Sequence, residues 1–409
     1  MKGYWNKISL TWFSFLVFLS TLSCSAEQQH ENEMSKGVID TSITYSIDTL
    51  MNNSILKGNF PGAVVAIVQK DSIVFLKAYG NRALLPDTLP MSCNTIFDIA
   101  SLSKCVGTTT AVLQLVEQGK ISLEDKVNKY IPDFKPFVSD EDTVDITIQD
   151  LLTHSSGLDS YISHLKKYEK RFNGNPDSLM HLIAVQSKRN FKPGTKFMYS
   201  CLNFITLQNI VQIVSGDRLC DYVQKNVFDV LDMKHSCYFP SNVIVPSDLE
   251  IAPTEMQKDD VLLCGRVHDP LARLLNEGNS GNAGIFSTAE DLSLFCMAIM
   301  NGGAINGHRI LRPETIDKMV NIPISNDSVV GRALGWDVAS SHSTLLGDHF
   351  PKHCSICHTG FTGTSIVMDL DARVAIILLT NRVHPNNGGS IKNVRVELSN
   401  IVSKMIDFE

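Results

Sequence analysis

Strand-like runs stand at the two ends of this 409-residue chain and almost nowhere between. Ala63 to Gln69 and Ser72 to Ala78 are apolar and β-branched around Lys70-Asp71. Thr364 to Asp369 and Val374 to Thr380 repeat that pattern around Asp371-Ala372-Arg373. Each pair reads as a β-hairpin. From Ile146 to about Met319 the strand signal fades and helical periods take over: Thr147 to Leu158 with a Gly157 turn, Asn203 to Val214 ended by Gly216, and Thr288 to Met300 ended by Asn301-Gly302-Gly303. Ser390 to Phe408 reads as a closing helix. Strands at both ends with helices between imply a mixed α/β (α+β) fold. Its antiparallel sheet is formed by the N- and C-terminal segments and flanked by helices, with an all-helical insert over about 120–330.

A short strand pattern, Thr95 to Ile99, leads into Ser101-Leu102-Ser103-Lys104, and Thr109 to Gln118 carries apolar residues at helical spacing up to Gly119. With a helix starting at Ser101, that hydroxyl and the Lys104 amine share one face of its first turn. Free N–H groups at a helix start favour an anion, and a partly desolvated lysine falls toward the pKa a base needs. Taken alone, the pair equally describes an N-cap serine and a solvated lysine. Tyr199-Ser200-Cys201 lies between the turn Lys192-Pro193-Gly194-Thr195 and the helix at Asn203, which puts Tyr199 on a loop. A phenol beside an ammonium loses its proton more easily and can relay it, although a single tyrosine there is more often a core residue with its hydroxyl bonded. His358-Thr359-Gly360 opens a strand in which glycine lets a substrate backbone lie close and an edge N–H can help bind an oxyanion. A lone strand histidine is more often structural.

Lys2 and Lys7, the apolar run Ile8 to Leu22 and the small residues Ser23-Cys24-Ser25-Ala26 have the layout of an export leader. The run is too short and too diluted by Ser/Thr for a membrane span. Residues 25–36 read as a flexible tether and 37–409 as the folded domain. The formal net charge is −7 and no Lys/Arg-rich block occurs, which argues against a nucleic-acid partner. Ten cysteines in an exported chain invite a disulfide reading, but most lie in core-like patterns and read as buried thiols. Cys354-Ser355-Ile356-Cys357-His358 spells the c-type haem attachment pattern. Cys354 and Cys357 are more simply a disulfide or two free thiols, and no second Cys-x-x-Cys completes a metal site. No cofactor or metal is expected.

Taken together, the Ser101/Lys104, Tyr199-Ser200-Cys201 and His358-Thr359-Gly360 stretches resemble those of the serine β-lactamase and penicillin-binding-protein superfamily, in particular the class C-like β-lactamase-related serine hydrolases. The resemblance runs from about Gly62 to Pro385. It is carried also by Ile148 to Leu158, Pro193 to Tyr199, Ile251 to Glu255, Gly281 to Thr288 and Leu334-Gly335-Trp336. It implies that Ser101 is the acylated nucleophile, that Lys104 and Tyr199 are the proton-transfer pair, and that His358 stands where many relatives carry lysine. It also implies a substrate-binding stretch Thr359-Gly360 and an oxyanion hole made by the N–H groups of Ser101 and Phe361. Thr21-Leu22-Ser23-Cys24 resembles a bacterial lipobox, implying lipidation at Cys24 and an envelope lipoprotein, with Thr21 departing from the usual leucine. Soluble secretion with cleavage near Ala26 is the alternative.

Two residues depart from the pattern. Cys201 replaces the asparagine whose amide binds an acylamino group, and His358 can be neutral where lysine holds a permanent charge. Both changes weaken penicillin as the substrate and leave acyl transfer intact. Val267-His268-Asp269-Pro270 and Leu379 to Pro385 resemble members fused to cell-wall N-acetylglucosaminidases, which hints at a peptidoglycan-derived peptide or amide. The leading expectation is therefore an envelope serine hydrolase of esters, amides or peptides. The alternative is a binding or sensor protein that is acylated without turnover.

Overall fold

The computed structural model describes residues 39–238, 250–321, 332–338, 345–351 and 354–406. The leader, Cys24 and the tether assigned to 25–36 lie outside them. Both hairpins form. Strand β1 (Gly62–Gln69) turns directly into β2 (Ser72–Ala83) through Lys70, whose φ is 57°. Two-residue strands follow, β3 (Leu89–Pro90) beside β2 and β4 (Phe97–Asp98) on the way to Ser101. From mid-chain, β5 (Cys237–Tyr238) and β6 (Ile285–Ser287) join β4 in a separate three-stranded sheet. After β7 (Asp337–Val338) and β8 (Ser355–Thr359) comes the second hairpin, β9 (Ser365–Asp369) and β10 (Val374–Thr380), with Arg373 left-handed at φ 54° in its turn. The main sheet is antiparallel throughout, in the order β7-β8-β9-β10-β1-β2-β3. The hairpins meet at its centre, where Ala63 faces Thr380 and Gln69 faces Val374.

β1 is buried from Gly62 to Val68, so both faces of the sheet need covers. One cover is the pair α1 (Thr41–Leu56) and the last helix, α6 (Lys392–Val402), whose Ile47, Met51, Leu398 and Val402 pack with Ala63, Val65 and Ile67. The other is α5 (Ala289–Met300), which starts where the Thr288 hydroxyl accepts the Asp291 N–H at 3.2 Å. Each fully buried aliphatic side chain here contributes roughly 1.5–3 kcal/mol, so these layers rather than turn propensity hold the sheet.

Three elements differ from the sequence reading in detail. The helix expected from Ser101 opens with a π-helical turn, Lys104–Thr109, before α2 (Thr110–Glu117) closes at Gly119 with φ 68°. The helix expected over Thr147 to Leu158 is only α3 (Ile148–Leu152), started by a Thr147/Asp150 capping box. It stops because the Thr153 hydroxyl donates back to the Gln149 carbonyl at 2.8 Å and His154 turns left-handed at φ 57°. Helices do dominate the middle of the chain, among them α4 (Cys201–Ser215), closed by Gly216 at φ 82°. They are interrupted by two-residue ladders, 137–138 with 143–144 and 304–305 with 308–309, too short to leave a period in the sequence.

Candidate active site

Ser101 stands on a sharp turn that the surrounding chain enforces. Ala100, just before it, is left-handed at φ 49°, a conformation that costs a residue with a Cβ on the order of 1 kcal/mol or more. Asp98 holds it by accepting the Ala100 N–H at 2.8 Å, and the Thr362 and Thr364 hydroxyls donate to the Asp98 and Ile99 carbonyls at 2.7 and 3.0 Å. A Cβ on Gly360 would meet the Ile99 carbonyl at 2.5 Å. Only glycine lets the end of β8 lie against this turn.

Lys104 is fully buried and is the hub of the cluster. Its Nζ donates to Ser101 Oγ at 3.1 Å and to the Asn282 carbonyl at 2.8 Å, lies 3.7 Å from Cys201 Sγ, and sits 5.0 Å from the centroid of the Tyr199 ring. Burial alone would depress the Lys104 pKa. The Cys201 thiol and Tyr199 phenol facing it, with the Asp269 carboxylate behind, reverse that and hold it above the ordinary lysine value. Burial pushes the Tyr199 phenol and the Cys201 thiol upward despite the ammonium. All three shifts thus run toward the protonated forms. This corrects the expectation that desolvation frees Lys104 of its proton: its neighbours outweigh burial.

His358 lies on β8 with its ring centroid 6.1 Å from that of Tyr199. Its Nδ1 donates to the Thr359 carbonyl at 2.9 Å, and burial, with the cations Arg332 and Lys104, drives its pKa well below the usual histidine value. It is a neutral imidazole here. Arg332, itself buried, is ion-paired with Asp337.

Ser101, Tyr199, His358, Thr359, Gly360 and Phe361 line one cleft of about 590 Å³. Phe361 is 55% exposed, yet its ring is held between the His268 ring (centroids 5.5 Å apart, stacked) and the Arg382 guanidinium at 4.9 Å. Arg382 also donates to the Phe361 carbonyl from Nε at 3.1 Å and Nη2 at 2.6 Å. His268 is seated in turn by Glu255, whose carboxylate lies 3.1 Å from its Nε2, and by Asp98, which accepts its N–H at 2.7 Å. Among the described residues, no protein acceptor takes the N–H of Ser101 or of Phe361. The far wall carries Arg382, Lys392 and Arg395, which give the cleft a cationic rim.

The Beta-lactamase family model matches residues 38–400. The chain belongs to the beta-lactamase family. Within it, the chain is 31% identical over 363 residues to the N-acetylmuramyl-L-alanine amidase of Bacillus subtilis (strain 168), covering 83% of this chain and 80% of that protein. It is 29% identical over 350 residues to a protein of Escherichia coli (strain K12) named as a D-alanyl-D-alanine carboxypeptidase, covering 80% and 79%. Among solved structures, EstCE1, a hydrolase with promiscuous acyltransferase activity, superposes with a TM-score of 0.70 at 21% identity, over 88% of this chain and 98% of that one. The fold is thus that of the family, and the chain is a β-lactamase-related serine hydrolase.

In this family member every sequence-chosen site residue among the described ones, from Ser101 and Lys104 to Tyr199, Cys201, His358, Thr359, Gly360 and Phe361, comes together around the cleft; Cys24 lies outside them. The sequence reading did not single out the Asn282 carbonyl, the Asp98 brace or the His268 and Arg382 clamp. Their signal was present only as stretches of resemblance, Gly281 to Thr288, Val267 to Pro270 and Leu379 to Pro385. Met256 N–H to the Pro385 carbonyl at 2.8 Å and His384 Nδ1 to the Thr254 carbonyl at 3.0 Å tie the last of these stretches to residues 254–256. Cys354 and Cys357 are buried and are not joined in a disulfide. Cys357 and His358 belong to a strand paired on both edges, so they cannot open around a porphyrin.

Proposed function

We propose that this beta-lactamase-family hydrolase cleaves an amide, ester or peptide of a peptidoglycan-derived substrate through an acyl-enzyme on Ser101. The observation that carries the reading is the buried Lys104 ammonium, 3.1 Å from Ser101 Oγ and against the Tyr199 ring. Ser101 Oγ attacks the carbonyl carbon as its proton passes to the Lys104–Tyr199 pair, which reacts in the form that has given up one proton (amine with phenol, or ammonium with phenolate), and the oxyanion is received by the N–H groups of Ser101 and Phe361. Collapse breaks the bond to the leaving group, which takes the proton from the pair. Water then attacks the acyl carbon, giving one proton to the pair, which returns it to Ser101 Oγ as the ester bond breaks. The amidase and carboxypeptidase named above supply the substrate class, and the Arg382, Lys392 and Arg395 rim suits a carboxylate that neutral His358 does not attract.

Cys201 offers no paired donor and acceptor for an acylamino group, so β-lactams are expected to be poor substrates. Wild type and Cys201→Asn screened against nitrocefin, p-nitrophenyl esters, D-Ala-D-Ala peptides and muramyl-L-alanine amides test this. Multiple turnovers are expected on an ester, peptide or amide, with the β-lactam to ester ratio rising about tenfold in Cys201→Asn, the worth of one good hydrogen bond. A stable adduct by intact-mass measurement with no turnover on any substrate favours the sensor reading instead. What favours that reading is the upward shift of both Lys104 and Tyr199, which leaves little of the pair deprotonated to activate water.

We further propose an envelope location through lipidated Cys24, on the strength of the leader and lipobox resemblance. Cell fractionation should find the protein with membranes, its N-terminus blocked at Cys24. A soluble form starting at Glu27 would end this proposal.

A further inference from the structure

We infer that His154 is the positioning residue for Tyr199, holding the backbone on both sides of it; the inference rests on the proton-transfer role proposed above for the Lys104–Tyr199 pair. Residues 192–200 form a loop between a turn and α4, with no regular ladder to fix the phenol. The two amides that flank Tyr199 instead end on one residue. The Met198 N–H donates to the His154 carbonyl at 2.9 Å, and the Ser200 N–H donates to His154 Nδ1 at 3.0 Å. The His154 ring lies 4.4 Å from the Tyr199 ring, 5.1 Å from Phe204 and, edge-on, 6.2 Å from Phe197. Asn203, on α4, brings its Nδ2 to the same Nδ1 at 3.3 Å. Ser200 in turn caps α4, accepting the Leu202 N–H at 3.2 Å.

Two features suit His154 to this task. Its left-handed backbone at φ 57° points both its carbonyl and its side chain toward the 198–200 segment, where a helical residue at the end of α3 would present only one. Both groups that reach Nδ1 are donors, so Nδ1 must carry a lone pair and the proton must sit on Nε2. Complete burial, with Arg332 and Lys104 nearby, keeps the ring neutral and Nδ1 an acceptor. A reacting group displaced by about 1 Å costs on the order of 10²-fold in rate, which sets the scale for losing this brace.

Both esters use the pair to take the Ser101 proton, but only a basic leaving group also needs a proton from the phenol, so the difference between leaving groups is the readout. A p-nitrophenolate departs without a proton; an alkoxide of the same acyl ester does not. His154→Phe keeps the ring shape and removes the acceptor. His154→Asn restores an oxygen near the Nδ1 position and tolerates the left-handed backbone. His154→Phe is expected to lower kcat on the alkyl ester about 10²-fold with KM little changed, and kcat on the p-nitrophenyl ester by less than tenfold. Tyr199→Phe should show the same split, the double variant should be no worse than Tyr199→Phe alone, and His154→Asn should recover most of the loss. If His154→Phe does not fold, His154→Ala carries the same comparison, with Tm followed in each variant. Equal losses on both esters, additive losses in the double variant, or His154→Asn as impaired as His154→Phe would overturn the inference. Tyr199→Phe at the wild-type rate would instead remove the role proposed for Tyr199 itself.

Discussion

Ser101→Ala is expected to abolish turnover on every substrate, a loss on the order of 10⁶-fold, the scale found when a hydrolase loses its serine nucleophile. The fold should survive. Ser101 Oγ receives one described hydrogen bond, from Lys104, and the ammonium keeps the Asn282 carbonyl at 2.8 Å when that bond is gone. The brace beneath the turn, Asp98 with Thr362 and Thr364, involves no atom of the Ser101 side chain. Circular dichroism and Tm should therefore match wild type within a few degrees, and an active-ester probe that adds an acyl group to wild type should leave the mass of the variant unchanged. A Ser101→Ala protein that hydrolyses the best substrate within tenfold of the wild-type rate would remove the assignment of the whole cleft.

Lys104→Met should separate activity from stability. Methionine fills nearly the same volume but donates nothing, so the cation that faces Ser101, Tyr199 and Cys201 disappears without a void. The expected loss in kcat/KM is about 10²–10⁴-fold, the range for general acid–base help. Stability should move the other way. A fully buried ammonium has lost its hydration, and what it regains here is one carbonyl, the Ser101 and Tyr199 hydroxyls and a distant thiol. Exchanging such a charge for an apolar group of similar size is often neutral or stabilising, even though the Asn282 carbonyl then loses its donor at a cost of about 1–3 kcal/mol. Tm at or above the wild-type value with crippled turnover is the expected pair of results. A Lys104→Met enzyme with normal kcat/KM would show that the ammonium takes no part in the chemistry.

The elements that the sequence disclosed are those whose signal is local. The continuous apolar run of Val374 to Thr380 and the Gly216 stop after α4 are both written within a few residues of where they act. So are Ser101 and Lys104, one turn apart. What stayed hidden depends on residues brought together from far along the chain. The protonation state of Lys104 is set by Tyr199, Cys201 and Asp269, none of them a sequence neighbour, and the local pattern therefore suggested the wrong sign for its shift. The clamp on Phe361 needs His268 and Arg382, and no composition window contains both. α3 was read too long because the Thr153 back-bond and the left-handed His154 leave the apolar spacing untouched.

The seam at the middle of the main sheet bears on how the molecule comes into being. Gly62 donates its N–H to the Asn381 side chain across 319 residues, and β1, already paired with β2, finds its second neighbour in β10. The entropy of closing so long a loop grows only with the logarithm of its length, so the seam costs little in final stability; its cost is time, since pairing over such a separation is slow to find. During synthesis the segment with Ser101 and Lys104 is made early, whereas Gly360, Phe361, Thr362, Thr364 and Arg382 come near the end. Until they arrive, the left-handed Ala100 has no hydroxyls to brace it, and no Phe361 amide stands opposite Ser101. The cleft around Ser101 is thus complete only once the last strands of the chain have been made.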